Sequence, residues 1–258
     1  MTELRALLLD LDGVLYVEDE PLPGAREAVA ELREQGLALR FVTNTTSRPR
    51  RQILERLQRL GFEVEPAELS TPAALAVAHC VQAGRRRAML LVRDDVKEDF
   101  AELDESEDAE AVIVGDLGEG FGYEVLNRAF RRLIDGAELI ALQKNRYWLR
   151  PEGLALDVGP FVAALEYAAS TEALVVGKPS KDFFATILAG VPAEAADAAM
   201  VGDDVESDVG GALGAGLAGI LVRTGKYRED ALRASRVEPT AVVDSIADVP
   251  ALLAGGRA

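Results

Sequence analysis

Cysteine and histidine are almost absent from the chain, because its 258 residues include only Cys80 and His79. A single cysteine excludes a disulfide within the chain and a cysteine-rich zinc site. A single histidine excludes a metal site built from several imidazoles of one chain. Any catalytic chemistry must therefore rest on carboxylates, lysines or hydroxyl groups.

Positive charge is also scarce. The chain carries 28 Lys and Arg against 44 Asp and Glu, which gives a formal net charge of -16. Such a surface repels polyanions, so a general affinity for nucleic acid or for an anionic membrane is disfavoured. We predict neither a nucleic-acid partner nor a membrane partner.

Long hydrophobic runs are missing. No stretch approaches the roughly 20 apolar residues of a membrane span, and the acidic Glu3 and Asp10 make the N-terminus unlike a signal peptide. The composition, 49% hydrophobic and 28% charged, is typical of a globular protein. We expect a soluble cytoplasmic protein with one large or two modest domains.

Short apolar runs alternate with helical patterns at both ends of the chain. Each run leads into polar residues or glycine, as expected for buried strands that end at a functional edge. The predicted strands are 6–9, 37–42, 174–176, 199–201 and 220–222, and the predicted helices near the N-terminus are 24–35 and 50–60. This order predicts an α/β fold, a three-layer doubly wound parallel sheet with its site at the carboxyl ends of the strands.

The middle of the chain has the pattern of a second module. Its predicted strands are 89–92, 111–114 and 139–142, and its predicted helices are 123–134 and 160–169. We therefore predict a catalytic core domain from residues 1–79 and 177–258, with an inserted α/β cap domain at 80–176. The acidic stretch 104–110 is interpreted as a solvated loop.

Two aspartates, Asp10 and Asp12, stand where a buried strand gives way to Gly13. One interpretation is a capped turn with solvated carboxylates. The apolar residues Val14 and Leu15 directly after the glycine favour a second interpretation, since a buried place is costly for carboxylates that serve only solubility. In that interpretation the pair supplies a nucleophile and an acid/base next to a hard cation.

A second acidic cluster, Asp203, Asp204 and Asp208, follows another predicted strand. Alone it is typical of a turn or a helix N-cap. Two such clusters at the ends of parallel strands would repel each other unless a divalent cation neutralised them. Mg²⁺ is the cation that commonly accepts one or two carboxylates together with a substrate phosphate.

Three further residues follow strands. Thr43 and Asn44 could cap the next helix, and Lys178, between glycine and proline, could be a solvated loop lysine. The alternative is a phosphate cradle formed by the hydroxyl, the amide, the ammonium group and nearby backbone N–H groups.

Taken in order, these motifs resemble those of the haloacid-dehalogenase-like phosphohydrolase superfamily. They are Asp10-Leu-Asp-Gly-Val-Leu, Thr43-Asn44, Lys178 in Gly-Lys-Pro, and Gly202-Asp203-Asp204 with Asp208. The first motif alone is moderately specific, whereas all four in order are strongly so. The resemblance covers about residues 4–250 and implies a Mg²⁺-dependent phosphatase acting on a small phosphorylated molecule.

The resemblance also implies residue roles. Asp10 would attack phosphorus in line and form an aspartyl-phosphate, and Asp12 would protonate the leaving oxygen and then deprotonate the attacking water. Mg²⁺ would be held by the Asp10 carboxylate, the Asp12 main-chain carbonyl and Asp203. The phosphoryl-binding residues would be Thr43, Asn44 and Lys178, and the residues that support Lys178 or the metal would be Asp204 and Asp208.

The long segment between the second and third motifs resembles the large C2-type cap of the NagD-like branch. Within that branch, segments 153–161, 164–167 and 222–226 are similar to the phospholysine/phosphohistidine/inorganic-pyrophosphate phosphatases and their haloacid-dehalogenase-like sister group. The resemblance implies that Asn145 and Arg146 contact the substrate, with a plain surface loop as the alternative. Relatives dimerise through the cap, so a homodimer is one expected assembly.

One departure from the pattern bears on the substrate. Animal members of the phospholysine group tend to carry serine where this chain has Asp12. An acid there suits phosphate monoesters, whose alkoxide leaving groups need a proton, so we expect a monoesterase. Hydrolysis of pyrophosphate, phospholysine or phosphohistidine is the alternative. A non-enzymatic scaffold of the same fold is disfavoured because Asp10, Asp12, Lys178 and Asp203 are all present.

Two other features are predicted to have no catalytic role. Residues 214–219 match a dinucleotide fingerprint, but they follow a helix and precede a strand, which is the reverse of the required order. His79 lies in an apolar helical pattern and is predicted to pack in the core.

Overall fold

The computed structural model describes residues 4–150 and 153–255. Its strands are, in chain order, β1 (Ala6–Asp10), β2 (Tyr16–Val17), β3 (Glu20–Pro21), β4 (Ala38–Val42), β5 (Leu69–Ser70), β6 (Arg87–Leu91), β7 (Asp104–Glu105), β8 (Ala111–Val114), β9 (Glu138–Ala141), β10 (Tyr147–Arg150), β11 (Gly153–Leu156), β12 (Leu174–Val175), β13 (Ala198–Gly202), β14 (Ala218–Val222) and β15 (Ala241–Val243).

The α-helices of the same residues are, in chain order, α1 (Ala25–Glu34), α2 (Arg50–Arg59), α3 (Pro72–Gln82), α4 (Tyr123–Ile134), α5 (Gly159–Ala169), α6 (Lys181–Leu188), α7 (Gly211–Gly214), α8 (Glu229–Ala234) and α9 (Val249–Gly255). A π-helical turn, Val205–Gly210, leads directly into α7. In the part of the chain that is described, no helix is long and apolar enough to cross a membrane.

The chain divides into two compact units. The first comprises Met1–Thr43, Leu54–Ser70 and Lys178–Ala258, and the second comprises Asn44–Ile53 and Thr71–Gly177. Apart from the separate segment Asn44–Ile53, the boundaries of the second unit lie at 70/71 and 177/178, whereas the sequence-based division set them at 79/80 and 176/177. The difference at the first boundary arises because the apolar face of α3, including Ala76 and Cys80, packs in a core cluster of the second unit.

The first unit contains a parallel six-stranded sheet with the order β15-β14-β13-β1-β4-β5. The central strand β1 is buried along its whole length, which is why its sequence is a continuous apolar run rather than an alternating one. The register pairs Leu9 with both Val201 and Phe41. Helix α1 buries a face at helical spacing, formed by Ala25, Ala28, Val29 and Leu32.

The second unit contains a parallel five-stranded sheet with the order β12-β9-β8-β6-β7. Strand β8 sends Ala111 and Ile113 into an apolar cluster with α3, and Val112 and Val114 into another with α4 and α5. This alternation is the period of two expected for a strand covered on both faces. An antiparallel hairpin, β10–β11, is added to this unit.

The three-layer α/β architecture with an inserted α/β module is confirmed. The 174–176 run was listed with the later strands of the chain, but it falls within the predicted insertion 80–176. In the structure β12 pairs with β9, with Leu174 opposite Ile140. The acidic stretch 104–110 differs in part from the predicted loop, because it begins with the short exposed strand β7.

Candidate active site

The buried polar residues of the first unit follow three neighbouring strands. Strand β1 lies between β4 and β13 and is parallel to both. Asp10 is the last residue of β1, Thr43 follows β4 and Asp203 follows β13, and all three side chains are buried. Because parallel strands end at one edge of a sheet, these groups converge at the place where ligands bind in doubly wound folds.

Lys178 is the cation of this site and is only 3% exposed. Its Nζ lies 2.7 Å from Asp10 Oδ1 and 2.7 Å from Asp208 Oδ1. Burial lowers the pKa of Lys178, but the charges of Asp10 and Asp208 raise it more, so the net pKa lies above its ordinary value. The lysine therefore stays protonated and bridges two carboxylates.

Three carboxylates gather beside this lysine. One oxygen each from Asp10, Asp203 and Asp208 lies within 4.8 Å of the others. Burial, and then the charge of Asp10, raise the pKa of Asp203 to about 7. Burial raises the pKa of Asp208 to about 6, with Lys178 opposing the shift and Asp10 adding to it. The group thus carries more negative charge than Lys178 neutralises.

Each acid of the second cluster has its own structural position. Asp203 Oδ2 accepts a hydrogen bond from the Lys226 backbone N–H at 2.7 Å. Its Oδ1 is buried and has no hydrogen-bond partner within residues 4–150 and 153–255. Asp208 Oδ2 accepts from the Asp204 N–H at 3.1 Å. Asp204 itself caps the next helical turn by accepting from the N–H groups of Glu206 and Ser207, so its carboxylate is used locally.

Glycines make room for these carboxylates. Gly13 has φ +84°, and a Cβ built there would lie 2.0 Å from Asp203 Oδ2. A Cβ on Gly202 would lie 2.3 Å from the Asp208 side chain. The Asp-x-Asp-Gly and Gly-Asp-Asp motifs therefore need glycine for space as well as for backbone conformation.

Other predicted site residues are exposed or belong to the second unit. Asp12 is exposed, and its backbone forms a bridge with Tyr16. Asn44 is half-buried in the second unit. Asn145 and Arg146 are exposed in the loop after β9, where their backbone groups bond to Gln143, Asp157 and Gly159.

His79 does not pack in the core as the sequence suggested. Its ring is 34% exposed, and Nε2 lies 2.9 Å from a carboxylate oxygen of Glu138, which also lies 3.1 Å from Arg85 Nη1. The reason is the position of His79 in the last turn of α3, where the helix reaches solvent.

Sequence reasoning assigned no role to the loop after β14. Thr224, Gly225 and Lys226 all contact the acidic group or the loop of Gly13. The available signal was a polar, glycine-containing loop directly after a buried strand, which is the position that the other motifs occupy.

Comparison with known proteins agrees with this geometry. A family model described as haloacid dehalogenase-like hydrolase matches residues 7–105, and one described as HAD-hydrolase-like matches residues 175–249. Haloacid dehalogenase-like hydrolase domain-containing protein 2 from Homo sapiens is 49% identical, covering 87% of this chain and 86% of that protein. The chain belongs to the haloacid dehalogenase-like hydrolase family, as one of its phosphatases.

Other members of the family match this hydrolase over nearly its whole length. Phospholysine phosphohistidine inorganic pyrophosphate phosphatase from Homo sapiens is 40% identical, covering 97% of this chain and 94% of that protein. The structure of a p-nitrophenyl phosphatase from Archaeoglobus fulgidus superposes with a TM-score of 0.90 at 27% identity, covering 97% and 99% of the two chains. The similarity therefore includes both the acidic motifs and the inserted unit.

Proposed function

We propose that this hydrolase is a Mg²⁺-dependent phosphatase that cleaves the phosphate monoester of a small metabolite through an aspartyl-phosphate on Asp10. The observation that carries the proposal is the buried group of Asp10, Asp203 and Asp208 with Lys178 bridging two of its members. Phosphoryl transfer depends on positioning and on neutralising spread negative charge. The group offers both at the end of β1.

The residues of the site fit a hard divalent cation. One oxygen from each of the three carboxylates lies within 4.8 Å of the other two. The buried Asp203 Oδ1 has no hydrogen-bond partner in the described part of the chain. We assign the Asp10 carboxylate, the Asp12 main-chain carbonyl and Asp203 as ligands, because Mg²⁺ prefers oxygen donors. Bound Mg²⁺ would supply charge neutralisation at the phosphoryl oxygens.

The remaining steps belong to the side chains. An Asp10 oxygen attacks phosphorus while the bond to the leaving oxygen breaks, and Asp12 gives that oxygen a proton. Asp12 then removes a proton from the water that attacks the aspartyl-phosphate, which releases inorganic phosphate and restores Asp10. Lys178 and Thr43, both buried, bind the phosphoryl oxygens, and Asp208 holds Lys178 by the 2.7 Å contact.

The second unit acts as a cap in this proposal. Asn44 joins Thr43 in binding the phosphoryl group, and the exposed Asn145 and Arg146 select the rest of the substrate. Replacing Arg146 by alanine is expected to raise KM for the physiological substrate more than KM for p-nitrophenyl phosphate. Equal effects on both substrates would remove Arg146 from the specificity site.

Two variants test the mechanism directly. Asp10→Asn is expected to lower hydrolysis of p-nitrophenyl phosphate at least about 1000-fold, because the amide is not a nucleophile. Asp197→Asn, at the other end of β13, is the matched control and is expected to keep wild-type activity. Chelation of divalent cations should abolish activity, and added Mg²⁺ should restore it. An Asp10→Asn enzyme as active as the wild type would refute the aspartyl-phosphate.

Replacing Asp12 distinguishes alkyl phosphate monoesters from substrates with better leaving groups. In Asp12→Asn, hydrolysis of an alkyl phosphate is expected to fall about 100-fold or more, because the alkoxide needs a proton. Pyrophosphate and p-nitrophenyl phosphate should be affected less, since their leaving groups are stable anions. If wild-type enzyme prefers pyrophosphate, phospholysine or phosphohistidine to every monoester tested, the monoester assignment is wrong.

A further inference from the structure

The loop after β14 contacts both the Asp203 carboxylate and the loop that follows Asp10. Thr224 Oγ1 donates a hydrogen bond to the carbonyl oxygen of Gly13. Two residues later, the Lys226 backbone N–H donates to Asp203 Oδ2 at 2.7 Å. Residues 224–226, here named the 224–226 loop, therefore connect the ends of β1 and β13 through two hydrogen bonds.

The backbone packing around these bonds leaves no room for side chains. Gly225 has φ +60°, and a Cβ built there would lie 2.0 Å from Asp203 Oδ2 and 2.5 Å from the Gly13 Cα. A Cβ on Gly13 would likewise lie 2.0 Å from that oxygen and 2.9 Å from the Gly225 Cα. The two glycines thus pack closely against each other and against one carboxylate oxygen of Asp203.

This close packing fixes how Asp203 is oriented. The Lys226 N–H occupies Oδ2, whereas Oδ1 is buried and has no hydrogen-bond partner in residues 4–150 and 153–255. A cation can therefore bind Oδ1 without displacing a hydrogen bond. The carboxylates of Asp10 and Asp203 repel each other, so Asp203 would otherwise favour orientations that separate the two charges.

We propose that the 224–226 loop positions Asp203 and the Asp10–Gly13 loop for cation binding, and that Thr224 is its positioning residue. This inference rests on the proposed function, because it concerns the Mg²⁺ ligands assigned there. Thr224 acts through the Gly13 carbonyl. Its hydroxyl holds the turn that includes Asp12 and Gly13, and Gly13 packs against Asp203. Groups that orient metal ligands in this way commonly change metal affinity or activity about 10- to 100-fold.

The test removes the hydroxyl and measures Mg²⁺ binding without turnover. Thr224→Val and Thr224→Ala are expected to weaken Mg²⁺ binding about tenfold by isothermal titration calorimetry of the substrate-free protein. The Mg²⁺ concentration for half-maximal hydrolysis of p-nitrophenyl phosphate should rise by the same factor. Thr224→Ser, which keeps the hydroxyl, should restore both to within about twofold. If Thr224→Val does not fold, Thr224→Ala provides the measurement of Mg²⁺ affinity.

Thr240→Val is the matched control. Thr240 Oγ1 also bonds to backbone, accepting from the Gly219 N–H at 3.0 Å, but near the amino end of β14. The Thr240→Val protein is expected to be less stable than the wild type but to bind Mg²⁺ with the same affinity. Folded Thr224→Val and Thr224→Ala proteins with wild-type Mg²⁺ affinity would overturn the positioning role alone, provided that Asp10→Asn is inactive. A wild-type enzyme that neither binds Mg²⁺ nor needs it would overturn the proposed function as well.

Discussion

Single atoms decide the shape of the acidic site. Lys178, with its Nζ 2.7 Å from each of two carboxylates, offsets part of the repulsion between Asp10 and Asp208. Asp203 accepts a hydrogen bond from the Lys226 backbone N–H at 2.7 Å. Its pKa is raised to about 7 by burial and by the charge of Asp10. The protein therefore stabilises the charged form of Asp203 poorly, and the proposed cation would favour that form.

Gly13 offers a residue-scale test of this crowding. Gly13→Ala would place a Cβ 2.0 Å from Asp203 Oδ2, at φ +84°. A left-handed conformation alone costs an alanine about 1 kcal/mol, and the clash adds displacement of the carboxylate. Hydrolysis of p-nitrophenyl phosphate is expected to fall at least about 100-fold, as measured by kcat/KM at saturating Mg²⁺.

Gly36 is the control for the cost of the backbone conformation. It has φ +81°, and a Cβ there meets nothing within 4 Å. Gly36→Ala should therefore lose about 1 kcal/mol in the free energy of unfolding and keep its activity. If both variants keep activity, or if both lose it equally, crowding against Asp203 is not what requires glycine at position 13.

Site residues that directly follow an apolar strand pattern were predictable from the sequence. Asp10 and Asp203 each come at the end of an apolar run, and parallel pairing of β1 with β13 brings these two ends together. Lys178 follows β12, which lies in the other sheet, so its contact with Asp10 does not follow from that pairing. The contact of Gly225 with Gly13 was not predictable, because it depends on the close approach of two loops that are 212 positions apart in the chain. Local patterns carry no signal for such an approach.

At the level of elements, local propensity predicted the positions of helices and strands better than it predicted which elements pack together. Helix α4 has the predicted bounds 123–134, since its amphipathic period is strong. Strand β12 was listed with the later strands of the chain but falls within the predicted insertion 80–176, and it pairs with β9 in the second sheet. The sheet to which a strand belongs depends on which strand lies next to it in space. A buried strand has the same apolar sequence pattern in either sheet. For the same reason α3 was divided from the unit in which it packs.

An ion pair between elements gives a pH-dependent prediction. Arg33 of α1 donates to both carboxylate oxygens of Glu68, at 2.6 and 2.7 Å, just before β5. Burial raises the pKa of Glu68, but the Arg33 hydrogen bond and the Glu65 N–H lower it more, so the net pKa lies below 4.5. The stabilisation is thus complete above pH 4.5 and is lost as the pH falls through the lowered pKa.

Glu68→Gln is expected to lower the free energy of unfolding by about 1 kcal/mol at pH 7, the upper range for a partly exposed pair. The difference from wild type should shrink as the pH falls through the lowered pKa of Glu68, because the wild-type glutamate then also becomes neutral. Urea titrations at pH 7 and at a series of pH values below 4.5 measure the difference. Glu63→Gln is the control, because Glu63 meets Arg33 through its backbone oxygen. A difference that stays constant with pH would contradict the ion pair.

At the scale of the whole molecule, charge and function oppose each other. The chain has a formal net charge of -16, and its proposed substrates are anions. Neighbouring carboxylates, foremost Asp10 for Lys178 and Asp203 for Lys226, outweigh burial and raise the pKa of both lysines. We expect these lysines and the proposed cation to attract a phosphate at short range, whereas the net negative charge repels it at longer range.

This opposition predicts an unusual response to salt. Raising NaCl from about 10 to 150 mM shortens the Debye length from about 30 to 8 Å, which screens the long-range repulsion but spares contacts inside the buried site. With p-nitrophenyl phosphate at fixed, saturating Mg²⁺, kcat/KM should therefore rise about twofold or more, while kcat stays constant. Phosphoethanolamine, whose ammonium group reduces the net charge, should show a smaller increase. If kcat/KM instead falls with salt for both substrates, the long-range field attracts phosphate, and the charge of the whole molecule does not govern encounter.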